Sequence, residues 1–545
     1  MAACGNPSRT NVERNLYRKL KHAYALGIDT FDVPVTLLHG GVTVEVDLPT
    51  LAPYEVFNAL HSAGPCVFNR AMLGKDDKGQ CDMNLAEYWA KVQQYNPGHF
   101  VFHDARLAAD LHTVIPTFWH SDGGEVFNTT SFDIYHWASP LSHGADPLDR
   151  WQFVCMVETN SMVNDITEAQ ITNFFKWNLE VMASGVHPVT DHLGRRLKGD
   201  RAAKAHQPLA GGYRAVFNGW CGDLKERVKV HRFCRSFNRN FVCERCLGCR
   251  HLAFGNAYEF RRGAAWRRMK VSTAMCMQST PRDELSPWAS VPGWSLEANR
   301  PDTLHMLWLG VAKDVTGQLL LDFAQHLHDH TRRDVNDCLA DLWVECSMWC
   351  WSMRVDVKFK VFTTRTVSWA SNGDYPTIET QMKAAKSKWL FVWVANRAME
   401  MVKHGHDTST YAKRRALMAW HILRFVRLCD RSKLFFTQGE ALQAHTHGLQ
   451  FLQLYQFLAG EAMKEGRCAY KVRPKLHELA ECIEHVWTTM ENPSRFSLFC
   501  AEDAIGKIKR VGAKCHRATA PLRVAQRRLI LLGNRWRKRR GLRSG

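Results

Sequence analysis

Three acids and a run of cysteines are the residues of this chain best suited to chemistry. Asp223 follows the apolar run YRAVFNGWCG (Tyr213 to Gly222), whose β-branched and aromatic residues read as a buried strand. A charged helical pattern from Leu224 to Phe233 comes next. An acid at the carboxyl end of a central strand stands where α/β folds place ligands. Asp122 closes a second apolar run, LHTVIPTFWHSDGG (Leu111 to Gly124), and Glu502 lies near the start of a helix within Arg495 to His516. Carboxylates that converge from adjacent strands repel one another unless a cation neutralises them, and hard oxygen donors suit Mg²⁺ or Mn²⁺. Two such ions, ~4 Å apart, would activate an attacking water or terminal hydroxyl and stabilise the oxygen leaving an in-line phosphoryl displacement. Each acid taken singly also has a structural explanation. Asp122 before two glycines is a turn residue, Asp223 a helix N-cap, and Glu502 a charge that favours its helix dipole.

Cys243-x-x-Cys246-x-x-Cys249 has metal-ligand spacing. Tetrahedral Zn²⁺ needs four ligands, and Cys249, His251, Cys234 and His231 are the nearby candidates to complete Cys243 and Cys246. Such a knuckle would hold the chain after the Asp223 helix and could present Arg245 and Arg250 to phosphates. Buried, reduced thiols are the plainer reading.

These groups need elements to position them. SFDIYHWASPL (Ser131 to Leu141) and WQFVCMVET (Trp151 to Thr159) read as strands. Asp165 to Gly185 reads as a helix, with Asp165 or Thr167 as N-cap and Gly185 as its stop. The order is β-β-β-α-β, with acids ending the first and fourth strands. By analogy this is the ribonuclease-H-like arrangement, in which those two strands are neighbours and Asp122 and Asp223 share one metal pocket. The expected fold class is α/β plus α, and the chain divides into six regions. Residues 1–105 are mixed, 106–230 open the core, 231–300 carry the cysteines, 301–470 form a helical insertion, 471–520 complete the core with Glu502, and 521–545 are a basic tail. Asp302 and His305 open the insertion at a proline-marked helix start.

Composition narrows the partners. Among 545 residues, Lys and Arg outnumber Asp and Glu by 72 to 53, a net charge of +19 that favours a polyanion, nucleic acid before membrane. From Ile505 onward there are fourteen Lys or Arg and no acid, including Lys507, Lys509, Arg510 and the cluster Arg535, Arg537, Lys538, Arg539 and Arg540. RWRKRR (Arg535 to Arg540) is either a nuclear address or a phosphate-binding patch. No run approaches the ~18 apolar residues of a membrane span, and the first residues lack an apolar signal core. The 18 cysteines are therefore expected as reduced thiols or metal ligands.

Four blocks resemble a known family. Gly222-Asp223-Leu224 with Cys243-Glu244-Arg245-Cys246, Asp302-Thr303-Leu304-His305 with Leu309-Gly310-Val311-Ala312-Lys313, Pro474-Lys475-Leu476-His477, and Ala501-Glu502-Asp503 are similar to blocks of the CACTA and Kyakuja–Dileera–Zisupton-like DDE DNA transposases. HSDGGEVF (His120 to Phe127) is the best match for their first aspartate. The resemblance covers about residues 110 to 530 as scattered blocks. It implies cleavage at element ends and strand transfer into target DNA. Asp122, Asp223 and Glu502 (or its neighbour Asp503) would bind two Mg²⁺ or Mn²⁺ ions, and Asp302 with His305 would position the substrate strand or brace the site. It also implies a homo-oligomer. A zinc-stapled, non-catalytic DNA-binding protein and an RNA-processing nuclease are the readings from other classes.

Overall fold

The four apolar runs expected as strands form strands in the expected order, buried along most of their length, and a hairpin and a short edge strand join them. The computed structural model describes residues 28–142, 146–251, 255–378 and 382–539, together with Asn15, Tyr17, Lys19 and Leu20. The chain forms two units. The first, the core unit, takes residues up to Arg232, Met277–Arg300 and everything from Leu498 onward. The second, the helical unit, takes Phe233–Cys276 and Pro301–Ser497. The region expected as a cysteine segment is thus divided between them, and residues before 105 belong to the core unit.

The core unit begins with a hairpin, β1 (Phe31–His39) and β2 (Val42–Thr50). Gly40 and Gly41 turn it with φ of 58° and 83°, the left-handed pair a two-residue hairpin loop requires. Helix α1 (Pro53–Ser62) follows. A five-stranded mixed sheet carries the rest, in the order β5-β4-β3-β6-β7. Its strands are β3 (Val114–Phe127), β4 (Thr130–Ala138), β5 (Gln152–Glu158), β6 (Arg214–Gly222) and β7 (Asn299–Pro301). β4 is antiparallel to both β3 and β5, whereas β6 runs parallel to β3. Asp122-Gly123-Gly124 is not a turn: β3 continues to Phe127 and pairs Asp122 with Ile134 of β4. Side chains along a strand alternate between faces, and β3 follows this rule. Trp119 packs on Phe175 of helix α2 (Ile166–Ser184) at 5.0 Å between ring centroids, and on Trp288 at 5.8 Å. His120 stacks instead with His136 and Trp151 on the opposite face.

Helix α3 (Leu224–His231) follows β6 directly. Helices α10 (Phe499–Gly512) and α11 (Ala520–Arg539) return from the far end of the sequence onto the face that holds His120. Two glycines set how closely α10 approaches. A Cβ on Gly124 would lie 2.8 Å from the Lys509 side chain, and one on Gly512 would lie 2.8 Å from a methyl of Val126. The basic tail is therefore largely helix α11, packed on the sheet. Arg528 lies buried and donates to the Trp151 carbonyl at 3.3 Å.

The helical unit contains α4 (Ala312–Thr331), α5 (Val335–Ser352), α6 (Ala384–Lys403), α7 (Thr410–Arg431), α8 (Gln438–Lys464) and α9 (Pro474–Thr489). A π-helical stretch, Leu304–Val311, leads into α4. Widening of this kind frees carbonyls, and Lys475 takes them up. Its Nζ donates to the carbonyl of His305 at 2.8 Å and lies 3.4 Å from that of Leu309. Gly310 makes the space: a Cβ there would fall 2.6 Å from Lys475 Cδ. Among the described residues no helix is long and apolar enough to cross a membrane.

Gly512→Ala tests the close approach of α10. An exposed helical glycine gains about 1 kcal/mol on becoming alanine, whereas overpacking costs roughly 1–3 kcal/mol. The clash with Val126 should prevail and lower the urea midpoint; a raised midpoint would show that α10 can retreat freely.

Candidate functional site

Asp122, Asp223 and Glu502 all lie in the core unit, although Glu502 is separated from the other two by the whole helical unit in sequence. The register of β3 and β6 pairs Trp119 with Trp220, so Asp122 and Asp223 follow at one level, three residues further along each strand. His120 Nδ1 and the Cys221 carbonyl, 2.7 Å apart, continue the pairing beyond the last ladder position. Period-two alternation turns His120, Asp122, Gly124 and Val126 toward α10, and Glu502 occupies the first turn of that helix. Glu502 stands close enough to Asp122 that its charge acts directly on the Asp122 carboxyl. Burial first, then the charges of Glu502, Glu226 and Asp223, push Asp122 up to about 8.

Asp223 also caps α3, accepting from the Glu226 amide at 2.6 Å. Capping and convergence coexist. Asp503 is exposed and pairs with Lys507 at 3.4 Å, so of the two neighbouring acids it is Glu502 that meets Asp122.

Glu226 is a fourth carboxylate that reading the sequence missed. It is buried, bonds the hydroxyl of Ser121, and stands 3.8 Å from Lys229. Lys229 bridges onward to buried Asp133, which also accepts from Thr159 at 3.0 Å. Burial raises Glu226 to about 7, opposed by Lys229. The available signal was the spacing Asp223-x-x-Glu226, which puts both acids in the first turn of one helix.

The remaining expected site residues fall in several places. Lys509 lies across Gly124, next but one to Asp122 on β3. Lys507 and Arg535 instead pair with Asp146, at 3.2 and 2.7 Å, and Arg539 pairs with Asp149 at 2.5 Å. Arg510 and Lys538 are exposed, Arg537 is half-buried, and Arg540 lies outside the described residues. In the helical unit, Asp302 is buried and accepts from the amides of Leu304 and His305 at 2.9 Å each and from His305 Nδ1 at 2.6 Å. These are the contacts of a helix start that also orients an imidazole. Arg250 donates to the Phe237 carbonyl, and Arg245 lies 3.9 Å from Glu244, so both are engaged within their own loop.

The cysteine group differs from the local set expected. Cys243 and Cys246 do come together, but with His477 and Glu481 of α9 rather than with Cys249 and His251. The Cys249 backbone is occupied with Gly255 and Ala257, and His251 is exposed. Cys234 is exposed too. His231 belongs to the core unit, where it is buried against Trp220 and accepts from Trp294 at 3.2 Å.

The raised Asp122 fixes the sign of a pH dependence. The unfolded chain loses this proton near pH 4 and the folded chain holds it to about 8, so stability falls as pH rises through that window. Asp122→Asn should flatten the slope and stabilise the metal-free chain at pH 8 by roughly 1–2 kcal/mol, about 1–3 °C in melting midpoint for a unit of this size. An unchanged slope in thermal melts from pH 5 to 8 would mean that Asp122 is not held in this way. In comparisons with known proteins, no family model matches the chain and no curated protein matches it.

Proposed function

We propose that the core unit is a ribonuclease-H-like DDE nuclease and polynucleotidyl transferase that cleaves and transfers DNA strands with two divalent ions, as transposases do. The observation that carries this reading is the convergence of Asp122 on β3 with Glu502 of α10 and Asp223 at the end of β6, close enough that their charges raise the Asp122 carboxyl. Three acids from distant segments crowd together at a cost that a structural role would not require. Support for the fold comes from the strand order, with β3, β4 and β5 antiparallel in sequence and β6 parallel to β3 on its other side.

The residues fit hard cations. Asp122, Asp223 and Glu502 supply only carboxylate oxygens, and the raised Asp122 marks where positive charge is wanted. Mg²⁺ or Mn²⁺ bound there would supply charge for the attacking and leaving oxygens of a phosphodiester. Lys509, beside this group, is suited to hold a phosphate, and exposed Arg510 and Lys538 extend the cationic surface expected of a +19 chain. Asp302 and His305 remain candidates for bracing the substrate strand.

Nicking of a supercoiled plasmid and strand transfer from a duplex end, each with Mn²⁺, test the reading. Asp223→Asn and Glu502→Gln should lose at least about 100-fold in rate, the order expected when a group worth several kcal/mol of transition-state charge stabilisation is removed. Asp503→Asn should keep the wild-type rate. Full activity in Asp223→Asn, or DNA binding with no cleavage under any divalent ion, would leave a non-catalytic DNA-binding protein; cleavage of RNA alone would make it an RNA-processing nuclease.

A further inference from the structure

Inside the helical unit, the Cys243 and Cys246 sulfurs, an imidazole nitrogen of His477 and a carboxylate oxygen of Glu481 all lie within 4.8 Å of one another, and all four residues are buried. Each sulfur accepts a backbone amide two residues on, Arg245 to Cys243 at 3.3 Å and Gly248 to Cys246 at 3.4 Å. That arrangement turns both thiols toward a common point. Gly248 is needed for it: a Cβ there would sit 3.2 Å from Cys246 Sγ, from His477 Cε1 and from the Ala257 methyl alike.

The imidazole is oriented from behind. His477 Nδ1 lies 2.7 Å from the Ala257 carbonyl, so Nδ1 carries the proton and Nε2 presents its lone pair to Cys246 Sγ, 3.2 Å away. An imidazole fixed in this manner by a carbonyl is the usual outer support of a metal-bound histidine. Glu481 follows His477 by one helical turn on α9, with its carboxylate 3.8 Å from Nε2 and 2.6 Å from Lys270. Two sulfurs, one nitrogen and one oxygen match tetrahedral Zn²⁺ better than any hard cation. Charge agrees as well: two thiolates and a carboxylate against Zn²⁺ leave one negative charge, which Lys270 neutralises.

We propose that Cys243, Cys246, His477 and Glu481 bind one structural Zn²⁺. Two ligands come from Phe233–Cys276 and two from Pro301–Ser497, the two separate stretches of chain that make up the helical unit. The ion therefore stitches those two stretches together. With all four ligands buried there is no open position for substrate, so the site stabilises and does not catalyse. Its binding energy is folding energy. The proposal is independent of the carboxylate chemistry of the core unit.

Metal analysis of the purified full chain, with cobalt substitution, tests it. One zinc per chain is expected, and Co²⁺ should give tetrahedral d–d bands with a thiolate charge-transfer band. Cys246→Ser and His477→Asn should lose the metal, while Cys249→Ser and His251→Asn should keep it. Where a variant fails to fold, the wild-type chain answers: a strong chelator should lower its melting midpoint and Zn²⁺ should restore it. A wild-type chain without stoichiometric zinc and with a midpoint indifferent to chelator would overturn the proposal, as would metal loss in Cys249→Ser with retention in His477→Asn.

Discussion

Mutual repulsion among carboxylates in a poorly hydrated place is the constraint on which the core unit depends. Asp122, Asp223, Glu226 and Glu502 influence one another closely enough that Asp122 keeps a proton far above the usual carboxylate range. Nothing in the apolar packing of the sheet requires this. Trp119, Phe175, Trp220 and Trp288 already fill one face of β3 and β6. Asp122 and Glu502 stand on the other face and Asp223 at the end of β6, held there by the register of a parallel pair and by a helix that returns late in the sequence, while Glu226 reaches Ser121. Such a crowd of carboxylates holds a proton that a lone acid would lose, and rising pH works against it.

Backbone proximity makes the convergence possible. Gly124 and Gly512 let α10 lie close on β3, and with α10 comes Glu502. Asp223 serves twice, as the cap that starts α3 and as a member of the acid group. Glu226 belongs to a second chain of contacts through Ser121, Lys229 and Asp133, which ties the first turn of α3 to the sheet. The helical unit follows the same economy. Lys475 satisfies carbonyls loosened by the π-helical stretch, and two residues later His477 faces the two thiols.

Much of this was legible in the sequence because it is local. The runs around Trp119, Tyr135, Val154 and Phe217 gave strands, the 3.6-residue pattern gave α2 to within a residue, and the long stretch after residue 301 read as helical throughout. Asp122 and Asp223 were paired by analogy with the ribonuclease-H-like strand order, and β6 does lie beside β3. What escaped depends on distance along the chain. Cys246 meets His477 across 231 residues, and spacing rules that look for ligands nearby chose Cys249 and His251. Glu226 was hidden among the charges of a surface-like helix, and the hairpin at Gly40-Gly41 inside a region without a clear period. Arg535 and Arg539 read as a free basic cluster, yet Asp146 and Asp149 lie under them.

We propose that a divalent ion displaces the proton that Asp122 holds beside Glu502. Calorimetric titration of the metal-free chain with Mn²⁺ at pH 7, repeated in buffers of different ionisation enthalpy, measures that exchange. The account predicts release of about one proton per chain, because burial and the neighbouring carboxylates keep Asp122 protonated at neutral pH without metal. Binding with no proton release, or no binding at all, would contradict it.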